Sequence, residues 1–210
     1  MILGVAKDGD QVATWTGSVS GDPANANNWE DLAGEPVVPT ASYTVKIAGN
    51  NVNLQAPAGT DIACKAFEIG NCTLVTDCDW RGLSHTPTIT GTANLNGHTF
   101  TLNHLSAAAG AAFSGGEGSF VEFVVDESAA IANLYEYTYI ENIDNLSLSG
   151  SVKLLLRKAD GGGTLTMTQL HLGNKHNVGM VQTNGTVNIT SGANAVGVPG
   201  FPKSLHIWIQ

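Results

Sequence analysis

Apolar and polar residues alternate in short runs, and a Gly–Asn or Asn–Gly pair interrupts each run before the next begins. The phrase runs from Val45 to Leu54 around Gly49-Asn50, then from Phe67 to Val75 around Gly70-Asn71. It returns from Ala93 to Leu102 around Asn96-Gly97, from Gly163 to Asn174, and from Asn184 to Ile189. Period-two alternation broken by such corners at roughly 20–30 residue intervals marks coiled or stacked β-structure. The fold expected is all-β: a parallel β-solenoid-like domain over 41–210 behind an N-terminal arm or cap over 1–40. Residues 106–160 repeat less cleanly, which keeps a jelly-roll or β-sandwich open as the alternative.

Individual elements follow from the same pattern. The first strand unit covers 41–56, with Tyr43, Val45 and Ile47 alternating with polar or small residues. Further units cover 61–76 and 86–105. The Ala- and Gly-rich stretch 106–118 reads as a loop or tight bend. Phe120–Val125 is a nearly continuous apolar run, as expected of a strand buried on both faces. Tyr135, Tyr137 and Tyr139 sit at period two and predict a strand with a tyrosine-lined face. Strands are also expected around Leu146 and Leu148, at 152–156, at 164–172 and at 204–209.

Composition narrows the class. Hydrophobic residues make up 42% of the 210, enough for a core, while charged residues make up only 13%, about half the usual share. Thr, Asn, Ser and Gly therefore carry the polar surface, as in many extracellular and virion β-proteins. The net charge is −9 with no basic cluster. Direct partnership with nucleic acid or with an anionic membrane surface is not expected, and no stretch is long enough to span a bilayer. The apolar run before Lys7 is too short for a secretory signal. Either it is not the natural start, or the protein reaches the exterior by cell lysis.

Cys64, Cys72 and Cys78 lie close together, and an odd count argues against a complete disulfide framework. One bridge with a free thiol and three buried thiols are both open. Zinc would need a fourth ligand, nearest at His85, and no C-x-x-C spacing is present. No cofactor is expected.

Trp15-Thr16-Gly17, followed by Pro23, Asn28-Trp29 and Pro39-Thr40, resembles an opening found in phage structural proteins and bacterial surface proteins. There a W-T-G triplet leads to an N-W pair and a proline, and a β-solenoid or related β-domain begins. The stretch from Gly163 to Ile189 is similar to passenger repeats of autotransporter-type adhesins. The resemblance covers about half the chain and implies a surface or virion scaffold.

Several residues are candidates for chemistry. Trp15 and Trp29 would either pack in a cap that covers an open sheet end or stack on sugars. Trp80, Tyr135, Tyr137 and Tyr139 are the other candidate glycan-binding aromatics. Asp77 and Asp79, with Asp61 upstream, would share a strand face and bind a cation or supply paired carboxylates; the competing reading is a solvated turn beside Trp80 and Arg81. Asp8 and Asp10 form a weaker pair. The six histidines lack the H-x-H spacing of a stacked metal site, and no nucleophile elbow, P-loop or H-E-x-x-H motif appears. The formal sequons beginning at Asn71, Asn145, Asn184 and Asn188 are the chance product of an Asn/Thr-rich chain.

The expected function is non-enzymatic: a structural protein of a phage virion, as capsid decoration or tail-associated subunit, whose partners are copies of itself and neighbouring structural proteins. The alternatives are a bacterial surface adhesin that binds glycans and, third, a polysaccharide-degrading enzyme using Asp77 and Asp79.

Overall fold

The computed structural model describes residues 11–125, 140–141, 145–158, 164–167, 180–183, 186–189 and 206–209, with side chains placed over 11–123 and 145–152. Tyr135, Tyr137, Tyr139, Asp8 and Asp10 lie outside the described residues.

The chain winds as a solenoid. β1 (Gln11–Trp15) is followed by the two-residue β2 (Trp29–Glu30), then by the long β3 (Tyr43–Val52) and β4 (Ala66–Leu74). β5 (Cys78–Asp79) completes that turn. The next turn carries β6 (Thr88–Ile89), β7 (Thr92–Asn94) and β8 (Thr99–Leu102). The one after it carries β9 (Leu105–Ala107), β10 (Ala112–Gly115) and β11 (Phe120–Val125). β12 (Ile140–Glu141), β13 (Ser147–Gly150) and β14 (Lys153–Lys158) follow. Then come β15 (Thr164–Met167), β16 (Met180–Thr183), β17 (Thr186–Ile189) and β18 (His206–Ile209).

A ten-stranded sheet runs β12-β9-β6-β4-β3-β1-β2, with β7, β10 and β13 alongside; a six-stranded sheet runs β18-β16-β14-β11-β8-β5, and β15 pairs with β17. Among the described strands every pairing is parallel except β1 with β2. Jelly rolls and sandwiches are built from antiparallel pairs, so the solenoid reading holds and the alternative falls.

Parallel register stacks like positions on like. Trp15, Ile47, Ile69, Ile89 and Ala107 form one column, all buried. Cys72, Ala93, Phe113 and Leu148 form a second. Cys78, Phe100, Val121, Leu154, Val181 and Ile207 are in register down the six-stranded sheet. Between these columns an aromatic file crosses the interior: Phe67 to Trp80 at 5.2 Å, Trp80 to Phe100 at 4.5 Å and 88°, and Phe100 to Phe113 at 6.1 Å. Edge-to-face pairs of this kind add to plain area burial.

Polar corners are tied from turn to turn. Thr92 N donates to Asn71 Oδ1, Asn96 Nδ2 to Leu74 O, Gly97 N to Ser119 Oγ and Thr99 N to Asp77 Oδ1, each across 21 or 22 residues of chain. The Asn96-Gly97 corner turns with both residues at positive φ, 51° and 82°, which is why this pair occupies it. Gly91 is required for a different reason: a Cβ there would lie 2.6 Å from Asn71 Oδ1 and 2.8 Å from Asn71 N, in the way of the corner bond.

Two sequence expectations change. Gly49-Asn50 and Gly70-Asn71 do not end strands: β4 continues through the second, and β3 through the first, with register irregularities between Ile47 and Gly49 and between Gly49 and Val52. A bulge bends β3 there without ending it. The stretch 106–118 is not a loop, since most of β9 and all of β10 lie in it and only the turn around Gly110 separates them. Within the expected arm, Gln11–Trp15 is a strand of the main sheet, in register with Tyr43–Ile47. Residues 16–42 then leave the stack and return, and they carry β2.

Candidate functional site

The segment with the W-T-G and N-W motifs folds as one cap. Trp15 and Trp29 are register partners across β1 and β2, 2% and 0% exposed, with ring centroids 4.7 Å apart and planes at 77°. Trp15 Nε1 donates to Asn53 Oδ1 at 3.2 Å and Trp29 Nε1 to Pro23 O at 2.8 Å. Asn28 is fully buried between them in sequence and pins the excursion. Its Oδ1 accepts Val19 N and Ser20 N, and its Nδ2 donates to Ser20 Oγ and Asp22 O. Its carbonyl accepts Thr16 N and Gly17 N. Gly17 sits at φ 59° where a Cβ would meet Asn53 Oδ1 at 2.3 Å. Trp15, Thr16, Gly17, Pro23, Asn28 and Trp29 therefore close the cap over the sheet edge.

Trp80 is also interior, 2% exposed, with Nε1 donating to Leu54 O at 2.9 Å. Sugar stacking needs an open indole face. Trp15, Trp29 and Trp80 present none, so the glycan-binding role considered for them is replaced by packing.

The acidic pair does not converge on a cation. Both carboxylate oxygens of Asp79 are occupied by Arg81, whose Nε lies 2.9 Å from Oδ1 and Nη2 2.6 Å from Oδ2, while Arg81 N also donates to Oδ1. The hydrogen bonds that the guanidinium donates to Asp79, and then that carboxylate's charge, hold its pKa above the ordinary value against desolvation. Asp77 precedes β5, is exposed, and accepts Thr99 N at 2.9 Å with His98 Nδ1 at 3.5 Å. The pair serves two separate corners. No group of three or more His, Cys, Asp or Glu side chains is placed to hold a metal among the described residues.

One acid escaped the sequence reading. Glu122 is 5% exposed in β11, in register with Thr101 and, one turn further, Asp79. Its Oε2 accepts Thr101 Oγ1 at 3.1 Å, and its charge adds to the raised pKa of Arg81. A lone Glu inside Phe120–Val125 was the signal: a run read as buried on both faces must bury its acid too.

Asp61, Ser84 and His85 come together at another corner. Asp61 accepts Ser84 N at 3.0 Å, Ser84 Oγ at 2.8 Å and Ile62 N at 2.9 Å. These bonds, the Ser84 amide first, lower its pKa. His85 Nδ1 lies 3.3 Å from Ser84 Oγ. The order is Asp–Ser–His, with the hydroxyl proton directed to the carboxylate. A nucleophilic serine needs the histidine to take that proton and the aspartate behind it. The trio is a staple between turns. The hollow beside it, bounded by Trp80, Leu83, His85 and His104, holds about 20 Å³, the room of one water.

Cys64, Cys72 and Cys78 are all free and buried. Burial pushes their thiols up to about 11, 12 and 12 respectively. Protonated thiols are poor nucleophiles and poor metal ligands, so these three pack as small apolar groups.

A wide, shallow groove of about 510 Å³ lies where the Asn94–Gly97 corner faces Ser114–Glu117. Its lining is amide, hydroxyl, backbone and one carboxylate. No family model, curated protein or solved structure matches the chain.

Proposed function

We propose that this chain is a non-enzymatic structural subunit of an extracellular assembly, namely a phage virion protein of the capsid-decoration or tail-associated kind, acting through contacts with its own copies and with neighbouring structural proteins. The observation that carries this reading is the use of the side chains first suspected of chemistry. Trp15, Trp29, Trp80, Asp61, Asp79 and Arg81 are all engaged in closing or tying the stack. Low charge, a neutral polar surface and three free thiols fit a protein assembled in a reducing cytosol and released by lysis. Neither nucleic acid nor a membrane is a partner in this reading, and no cofactor is used.

The test is co-purification. Particles released from cells that express the tagged chain are banded on a density gradient and probed for the tag. The chain is expected in the particle band at a fixed ratio to the shell protein. Its recovery only in the soluble fraction would contradict the proposal.

A second reading, a glycan-binding surface module, is favoured by the groove at Asn94–Gly97 and Ser114–Glu117, whose amides and hydroxyls suit saccharide hydroxyls. A glycan array on which the chain and a Gly116→Trp variant bind alike, or not at all, would remove it.

A further inference from the structure

Strand alternation builds the groove at the Asn94–Gly97 corner. In β7 and β10, Ala93 and Phe113 point inward and are buried, so Asn94 and Ser114 point outward. These two are register partners on successive turns, about 4.8 Å apart along the stack. Ser149 of β13 continues the row one turn further. Past the strand ends, Asn96 on one turn and Gly116-Glu117 on the next complete the lining.

Two features of this groove have no use in the fold. Gly116 has neither a positive φ nor any atom within 4 Å of where a Cβ would stand. Its neighbours do have reasons to be glycine: Gly97 sits at φ 82°, and a Cβ on Gly115 would meet Ser119 Oγ at 2.3 Å. Bare backbone that neither conformation nor packing requires suits the close approach of a ligand. The second feature is hydrogen-bonding capacity left over. Asn94 Oδ1 accepts Asn96 N at 3.0 Å, which fixes the amide. Among the described residues, Asn94 Nδ2, Ser114 Oγ and the exposed Glu117 carboxylate make no hydrogen bond or ion pair, whereas Asn71, Asp77 and Ser119 at neighbouring corners are tied from turn to turn.

We infer that this groove binds a neutral saccharide, with Glu117 as the acceptor that takes sugar hydroxyls and turns acidic sugars away. This deepens the glycan-binding reading above and rests on it. A sugar hydroxyl both donates and accepts; so do Asn94, Asn96 and Ser114, while the Glu117 carboxylate only accepts, through two oxygens. The volume of about 510 Å³ falls within the usual span of ligand sites, about 300–1,000 Å³. Other ligand classes fit less well. A protein partner docks through aromatic or apolar anchors and pockets for them, and the lining has none. A polyanion would meet Glu117 with no paired cation, on a chain of net charge −9. A hard cation takes six or more oxygen ligands, and this groove offers a single carboxylate.

The test is a glycan array carrying neutral glycans beside sialylated and uronate-containing ones, probed with the full chain, Gly116→Trp and Glu117→Gln, with thermal melting of all three. Neutral glycans should bind, and at about 0.1 M salt they should be preferred over acidic ones about tenfold or more. The preference should shrink at about 1 M salt, where the Debye length falls from about 10 Å to about 3 Å. Gly116→Trp should fill the groove and abolish binding without lowering the melting temperature, because its Cβ meets open space. Glu117→Gln keeps the side chain's shape and removes its charge, so it should bind neutral and acidic glycans alike; its exposed side chain holds nothing in the fold, so it also serves if Gly116→Trp does not fold. Acidic glycans bound as well as neutral ones by the wild type, or a preference that survives in Glu117→Gln, would overturn the inference while leaving a glycan surface in place. No glycan bound at all, or equal binding by a folded Gly116→Trp, would overturn both, so the two failures are distinguishable.

Discussion

Trp15 and Trp29 are in register across the only antiparallel strand pair among the described strands, and their rings meet edge to face at 4.7 Å. Trp15 belongs to the column that continues through Ile47, Ile69 and Ile89, so Trp29 is in effect the lid on that column. A parallel stack exposes an open strand edge at its first turn, and such edges recruit other chains. The tryptophan pair and the excursion it anchors close that edge.

Replacing Trp29 by Ala should cost about 3–5 kcal/mol, the range for removing a fully buried large aromatic. The loss should appear as a lower denaturant midpoint. It should be accompanied by salt-resistant aggregation, because β1 would lose its cover. Trp29→Phe keeps most of the apolar volume but orphans Pro23 O, and should fall between the two.

Gly91→Ala should destabilise the chain by about 1–3 kcal/mol through overpacking. The added methyl would strike Asn71, and the Thr92 N to Asn71 Oδ1 bond would have to move. The double variant with Asn71→Ala should recover part of the loss, as read by thermal melting of both variants. Equal melting of Gly91→Ala and wild type would show that the corner is looser than described.

The thiols should be silent in the folded chain. With Cys64 near 11 and Cys72 and Cys78 near 12, a disulfide-exchange reagent at pH 8 should label none of the three until denaturant is added, and then all three. Rapid labelling of the native protein would contradict their burial.

Asp61 has a lowered pKa in the folded chain, so its contribution to stability is present above its unfolded value, about 3.9, and is lost as pH falls through the folded value. Asp61→Asn should therefore be less stable than wild type at neutral pH, and the gap should narrow as the solution is acidified below about pH 4. Because the group is exposed, the effect is small and best read as a difference between two pH–stability curves. A gap that does not vary with pH would assign the loss to the staple's shape and not to its charge.

Much of this architecture is legible in the residue pattern, for a physical reason. In a parallel stack each strand buries alternate residues against like positions one turn away, so Val45 and Ile47 announce Phe67 and Ile69. Asn96-Gly97 was readable as a corner because few other pairs tolerate two positive φ values. Gly49-Asn50 looks the same in sequence, yet it is a bulge within β3; the difference depends on whether the partner strand continues alongside, which is not local information. The Ala-rich stretch 106–118 misled because a small residue gives no strand signal. Ala107 is small and buried where it continues the Trp15–Ile89 column.

The candidate site was harder to read. An isolated Trp80 next to two acids looks like a binding surface. Its burial comes from Phe67 and Phe100, each brought beside it by the winding of the chain. Arg81, two residues beyond Asp79, was the visible hint that the acid already had a partner.

Cryo-electron microscopy of released particles is the most direct test of the structural role. The expected result is a repeated, rod-like β-solenoid density on the particle exterior, at a fixed copy ratio to the shell protein. Particles that lack this density, from cells in which the chain is abundant, would contradict it.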